Sequence, residues 1–101
     1  MHSIMQSEER CFICGSYDWI EKHHVFGGNP NRRISEENGL WVYLCHWCHN
    51  EPPNGVHHNR QMDLWLKKYV QQTYERHHTR DEFIRLITRD EFIRLIGKNY
   101  L

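Results

Sequence analysis

Residues 40–50 read LWVYLCHWCHN. Leu40–Leu44 is a run of aliphatic, aromatic and β-branched residues, the composition of a strand. It runs without a break into Cys45-x-x-Cys48, and His49 follows directly. A second pair, Cys11-x-x-Cys14, lies upstream, with Gly15 supplying the tight turn that lets backbone N–H groups approach sulfur. Cys11, Cys14, Cys45 and Cys48 have the spacing of a four-thiolate zinc site. Disulfides are the competing reading, but no odd cysteine remains, and paired C-x-x-C at long separation is the zinc pattern of intracellular chains. Sulfur therefore accounts for one ion. His23, His24, His49, His57 and His58 are left over, a set able to hold a second ion and do chemistry.

The chain of 101 residues is sized for one domain, and a metal staple supplements the modest core such a length can bury. Lys and Arg total 13, as do Asp and Glu, so the formal net charge is zero. That balance argues against a broad non-specific nucleic-acid coat, though not against a local basic groove. Nine histidines make the real charge sensitive to pH near neutrality. A charged-then-apolar leader and a long apolar run are both missing, so the expected address is cytoplasmic, with no membrane association.

Outward from the knuckles, residues 1–10 are polar with little pattern and are expected to be frayed. Residues 19–26 alternate apolar and polar and read as a short strand carrying His23 and His24. Residues 27–38, rich in Gly, Asn, Pro and Arg, read as a loop long enough to suspect a function. The second knuckle leads into a short helical turn that Pro52 and Pro53 end. Asn59 is a fitting N-cap for a helix over 60–75, where Met62, Trp65, Leu66, Tyr69, Val70 and Tyr74 form one apolar stripe, a core-packing pattern. Residues 79–87 and 88–96 both read TRDEFIRLI, and each copy opens with a Thr-x-x-Glu capping box. A nine-residue shift turns a helix by about 180°. One continuous helix would therefore point Phe83, Ile84 and Ile87 one way and Phe92, Ile93 and Ile96 the other. Burying both faces requires a homodimer through this helix or a break near Thr88. So perfect a copy reads as a recent duplication or an engineered insertion, with no catalytic part. The resulting division is a flexible N-terminus (1–10), a stapled core (11–59) and a C-terminal helical region (60–101).

Successive strand residues face opposite ways, so His23 and His24 take different jobs. Taken together, Cys11-x-x-Cys14, His23-His24-Val25, Leu44-Cys45-x-x-Cys48-His49 and Gly55-Val56-His57 resemble the HNH endonucleases, the ββα-metal group. The likeness spans roughly residues 11–59 and is greatest to small zinc-stapled proteins of phages and prophages. It implies an α+β fold: a small ββα-metal core stapled by the four-cysteine zinc site and followed by C-terminal helices. It implies a metal-dependent DNA endonuclease or nickase in a bacterial host cell. His23 and His49 would be ligands to a divalent cation (Mg²⁺, Mn²⁺, Ni²⁺ or Zn²⁺), with His57 or His58 as the third. His57 is favoured, since His58 lies closer to the following helix start. His24 would be the general base, an imidazole suited to proton transfer near neutral pH.

The chain departs from the family in two places. Asn38 is the nearest candidate for the motif asparagine but lies about two residues early, with Leu40 in the expected spot; a turn asparagine before Gly39 is the plain alternative. The last histidine is also further from His49 than the helical spacing of some relatives. Among the rest, His46 is a possible substitute ligand inside its knuckle, and His2, His77 and His78 read as surface residues. Lys22, Arg32, Arg33 and Arg60 flank the expected site and are candidate phosphate clamps, or ordinary solvated charges. The competing functional reading is a non-catalytic zinc module that binds nucleic acid or a protein.

Overall fold

The computed structural model describes residues 1–28 and 31–87. It is a small α+β domain in the order β1 (Ile20–His24), α1 (Asn31–Asn38), β2 (Trp41–Cys45), α2 (His46–His49), a 3-10 turn (Val56–His58), α3 (Arg60–Tyr74) and α4 (Arg80–Ile87). The strands pair antiparallel, with Ile20 opposite Cys45 and His24 opposite Trp41. The end of β1 that carries the histidines therefore lies at the start of β2, and its other end meets the second knuckle. Leu40, Val42 and Leu44 are buried with Val25, Phe26, Ile34, Leu66, Val70, Phe83 and Ile87 in one core.

The segment 27–38, expected as a loop, carries helix α1 over 31–38. Ile34 and Ser35 anchor it, and the Ser35 hydroxyl donates to the Phe26 carbonyl at 2.8 Å. Its end is a Schellman closure: Gly39 takes φ +71°, and the Leu40 N–H donates to the Ser35 carbonyl at 2.8 Å. A Cβ at Gly39 would also run into the His2 carbonyl, so glycine is needed there for space as well as for conformation.

That close approach shows where the N-terminal segment goes. Residues 1–6 lie against β2 rather than free of the domain. The Ile4 N–H donates to the Gly39 carbonyl at 3.0 Å, and the Tyr43 N–H donates to Gln6 Oε1 at 2.7 Å. These bonds satisfy backbone groups on the otherwise open edge of β2, a gain that side-chain composition does not report.

Asn59 caps α3, its side chain accepting from the Met62 N–H at 3.1 Å. Leu66 and Val70 of the expected stripe are buried, whereas Trp65 and Tyr69 stay partly exposed, packed on Phe12 of the first knuckle. At α4 the capping box is reciprocal: the Glu82 N–H donates to Thr79 Oγ1 at 3.1 Å, and the Thr79 N–H to Glu82 Oε1 at 2.9 Å. Phe83 and Ile87 enter the core, with the Phe83 ring 5.3 Å from that of Phe26. The second repeat, 88–96, and the dimer expected from it lie outside the described residues. Among the described residues, no helix is long and apolar enough to cross a membrane.

Candidate functional site

Two clusters of metal-ligating side chains sit at opposite ends of β1. In the first, the sulfurs of Cys11, Cys14, Cys45 and Cys48 all lie within 4.8 Å of one another, and none is in a disulfide. The Cys14 and Cys45 sulfurs are 3.6 Å apart. Bonds of about 2.3 Å in a tetrahedron put sulfurs roughly 3.8 Å apart, so the spacing suits a closed structural site. The first knuckle turns through Gly15 at φ +79°, its N–H donating to the Cys11 carbonyl at 2.9 Å. Phe12 ties it to the sheet by donating to the Tyr43 carbonyl at 2.8 Å. Burial raises the Cys11 thiol, but N–H donors from Cys14, Cys45 and Ile13 outweigh it and bring the pKa down to about 7. The Cys48 thiol is pushed well up, first by burial and then by neighbouring sulfurs. Four thiols so crowded ionise together only around a cation. The cluster is consistent with a structural metal such as zinc.

The second cluster joins three elements. His23 comes from β1, His49 ends α2 and His57 sits in the 3-10 turn; one ring nitrogen from each lies within 4.8 Å of the others. The ring centroids are 5.0 Å apart for His23 and His49, 5.2 Å for His23 and His57, and 4.6 Å for His49 and His57. His57 Nε2 is 2.9 Å from His49 Nε2. His49 Nδ1 is 2.9 Å from Glu21 Oε1. A carboxylate only accepts, so His49 carries its proton on Nδ1 and, when neutral, offers a lone pair at Nε2. His23 Nε2 is buried with no hydrogen-bond partner. Burial, followed by the nearby imidazoles of His49 and His57, lowers the His23 pKa to about 3, so its ring is neutral at physiological pH. Three converging ring nitrogens, that of His23 buried and without a partner, fit a divalent cation, and three protein ligands leave coordination positions open. His58, the alternative third ligand, is exposed in the same turn and is not among the converging three.

His24 lines the same cleft as His23, His49 and His57, together with Lys22 and Arg32, in a volume of about 320 Å³. Strand alternation sends His23 and Glu21 toward α2, and His24 and Lys22 toward α1. There His24 Nε2 meets Glu36 Oε2 at 2.7 Å, and Lys22 Nζ lies 3.0 Å from Glu36 Oε1. Arg33 lines the adjoining groove of about 760 Å³, which shares Lys22, His24, Gly28 and Arg32 with the histidine cleft. Its own guanidinium pairs with Glu37 at 3.4 Å.

Two expected site residues stand elsewhere. Asn38 closes α1, its side-chain amide donating to the Ile34 carbonyl at 2.9 Å, and it lines a hollow with Met1, Ile4 and Tyr74 rather than the histidine cleft. The helix C-terminus claims its hydrogen bond. Arg60 opens α3 with an exposed side chain and does not line the cleft. His46 is not a substitute ligand: its Nε2 is 2.8 Å from Glu51 Oε1, and its ring stacks on Trp19 at 4.0 Å.

The sequence reading missed Glu21 and Glu36. Glu21 was legible, since it stands two residues before His23 on the same strand and so on the same face. Its carboxylate holds His49 Nδ1 and also accepts from the Asn50 side-chain amide at 2.9 Å. The hydrogen bond from His49 holds its own pKa below the usual carboxylate range. Carboxylates behind metal-binding imidazoles fix the ring and raise its basicity. If the three histidines hold a divalent cation, Glu21→Gln is therefore expected to weaken its binding about 10- to 100-fold, the usual range for such partners. Calorimetric titration of the zinc-loaded protein checks this, and zinc content at the cysteines is expected not to change.

The chain matches no family model, no curated protein and no solved structure.

Proposed function

We propose that the protein is a metal-dependent DNA endonuclease or nickase, with the HNH type of site its sequence resembles. The observation that carries this reading is the meeting of His23, His49 and His57 from three separate elements in a cleft that also holds His24 and two cationic side chains. His23, His49 and His57 would hold the divalent cation, which would supply Lewis-acid chemistry at the scissile phosphate and the leaving 3′ oxygen. His24 takes the proton of the attacking water as its oxygen bonds to phosphorus and the bond to the 3′ oxygen breaks. Lys22 and Arg32 seat the phosphate backbone at the mouth of the cleft, and Arg33 extends the basic lining along the groove. The four-cysteine cluster takes no part in the reaction. It fixes the end of β2 from which α2 delivers His49.

The test is incubation of supercoiled plasmid with the protein and Mn²⁺ or Mg²⁺. Nicked or linear product is expected, lost on chelation and lost in His49→Ala and His57→Ala. A second reading, a non-catalytic zinc module that docks a partner, draws on the exposed rings of Tyr17, Trp19 and Trp47 at 64%, 59% and 53%. Intact plasmid in the presence of protein that binds metal at its histidines decides for that alternative.

A further inference from the structure

Asn38, the nearest candidate for the motif asparagine, is occupied within its own helix and makes no contact with His24. The geometry points to Glu36 as the positioning carboxylate of His24, holding its ring in one tautomer and one orientation. This rests on the nuclease reading for its catalytic consequence, but not for the tautomer.

His24 Nε2 lies 2.7 Å from Glu36 Oε2, short for a nitrogen–oxygen pair and within the range of charge-assisted bonds. The carboxylate cannot donate, so the proton is on Nε2 and the lone pair of the neutral ring is on Nδ1. Glu36 is itself held. Lys22 Nζ contacts both its oxygens, at 3.0 and 3.3 Å, and the Lys22 ammonium also lies 4.1 Å from the centre of the Trp41 ring. The hydrogen bond with His24 and then that with Lys22 keep the Glu36 carboxyl below its usual range.

The backbone that presents Glu36 is equally constrained. Buried Ile34 and Ser35 precede it, and the Gly39–Leu40 closure follows within one turn. A carboxylate on a pinned helix locks the ring more firmly than one on a loop. The arrangement leaves Nδ1 as the nitrogen that receives the proton from water. It also parallels the Glu21–His49 pair on the other face of β1, so one imidazole on each side of the strand is held by a carboxylate.

A different role for the same contact predicts the opposite result. If Glu36 merely occupied the place of a substrate phosphate between Lys22 and His24, removing it would tighten DNA binding and speed cleavage. The experiment compares wild type, Glu36→Ala, Glu36→Gln and, as a helix control, Glu37→Ala, all as the full chain. Imidazole ¹⁵N spectra are expected to show His24 as the Nε2–H tautomer in wild type, Glu36→Gln and Glu37→Ala, and as a mixture in Glu36→Ala. On plasmid DNA, Glu36→Ala is expected to lower kcat about 10²-fold with KM little changed, the scale of a misplaced catalytic group. Glu36→Gln, which keeps an acceptor, recovers part of that loss. An unaltered His24 spectrum in Glu36→Ala, or a faster and tighter-binding enzyme, overturns the proposal. A wild-type protein that does not cut DNA overturns the nuclease reading instead, and the spectra still decide the tautomer.

Discussion

Cys45→Ser is expected to leave a chain that no longer folds cooperatively. Structural zinc in small domains contributes about 10–16 kcal/mol of apparent binding energy at neutral pH. The whole stability of an ordinary domain is only about 5–15 kcal/mol. The apolar core alone has little surplus over that, because a domain this small leaves much of its surface in water. Cys45 is also the least replaceable of the four. It is 2% exposed, ends β2, pairs across the sheet with Ile20 and sets the direction in which α2 leaves. Serine at that position loses a thiolate ligand and buries a hydroxyl. Cys14 is exposed, so a water can take its coordination place, and Cys14→Ser is expected to weaken zinc binding with the fold retained. Far-UV circular dichroism through a thermal scan, with zinc measured on the same samples, separates the two. A sharp, wild-type melting transition in metal-free Cys45→Ser would show that the core stands without its staple.

The same dependence explains why the frame was legible from the sequence. Cysteine spacing is a local signal for a long-range contact: two C-x-x-C pairs 31 residues apart state that residues 11–14 and 45–48 meet. Once they meet, β1 and β2 are constrained to pair, and alternation along β1 separates His23 from His24. Helix α3 was visible because Asn59 and the Leu66–Val70 spacing carry the cap and the stripe. Helix α1 escaped notice because Gly27, Gly28 and Pro30 dominate the composition of its segment, and only Ile34 marks a buried face. The Asn38-Gly39-Leu40 end was a usable stop signal for a helix, passed over as a turn. Misreading α1 hid Glu36, since a carboxylate in a loop has no defined neighbour, whereas one on a helix opposite β1 does. Asn38 stands apart from the cleft for the same reason. Its place in the motif was judged by sequence distance, while its hydrogen bond was settled by the helix end it caps. The placement of residues 1–6 had no sequence signal at all, because it depends on backbone groups along β2 that every residue type shares.

If the protein is the nuclease proposed above, His24→Ala is expected to lower the rate of DNA cleavage by about 10²–10⁴-fold, the range over which a positioned general base contributes. Cation binding and folding should hardly change. The ring sits at the edge of the cleft, with 15% of its side chain exposed, and is not one of the three converging imidazoles. His23→Ala should be equally inactive for another reason. His23 Nε2 is the buried, unpartnered nitrogen of the cluster, and removing it takes away a ligand as well as filling volume. The two variants therefore look alike in a cleavage assay and differ in metal analysis: His24→Ala keeps the cation at the histidines, His23→Ala loses it. The double variant should be little worse than the poorer single one, because groups that act on one step fail together rather than additively. Cleavage within tenfold of wild type in His24→Ala would remove the general base from the scheme. The imidazoles on the α2 side of β1 would then be left with a cation but no partner to activate water, and the exposed rings of Tyr17, Trp19 and Trp47 beside the cysteine cluster would become the better guide to what this protein does.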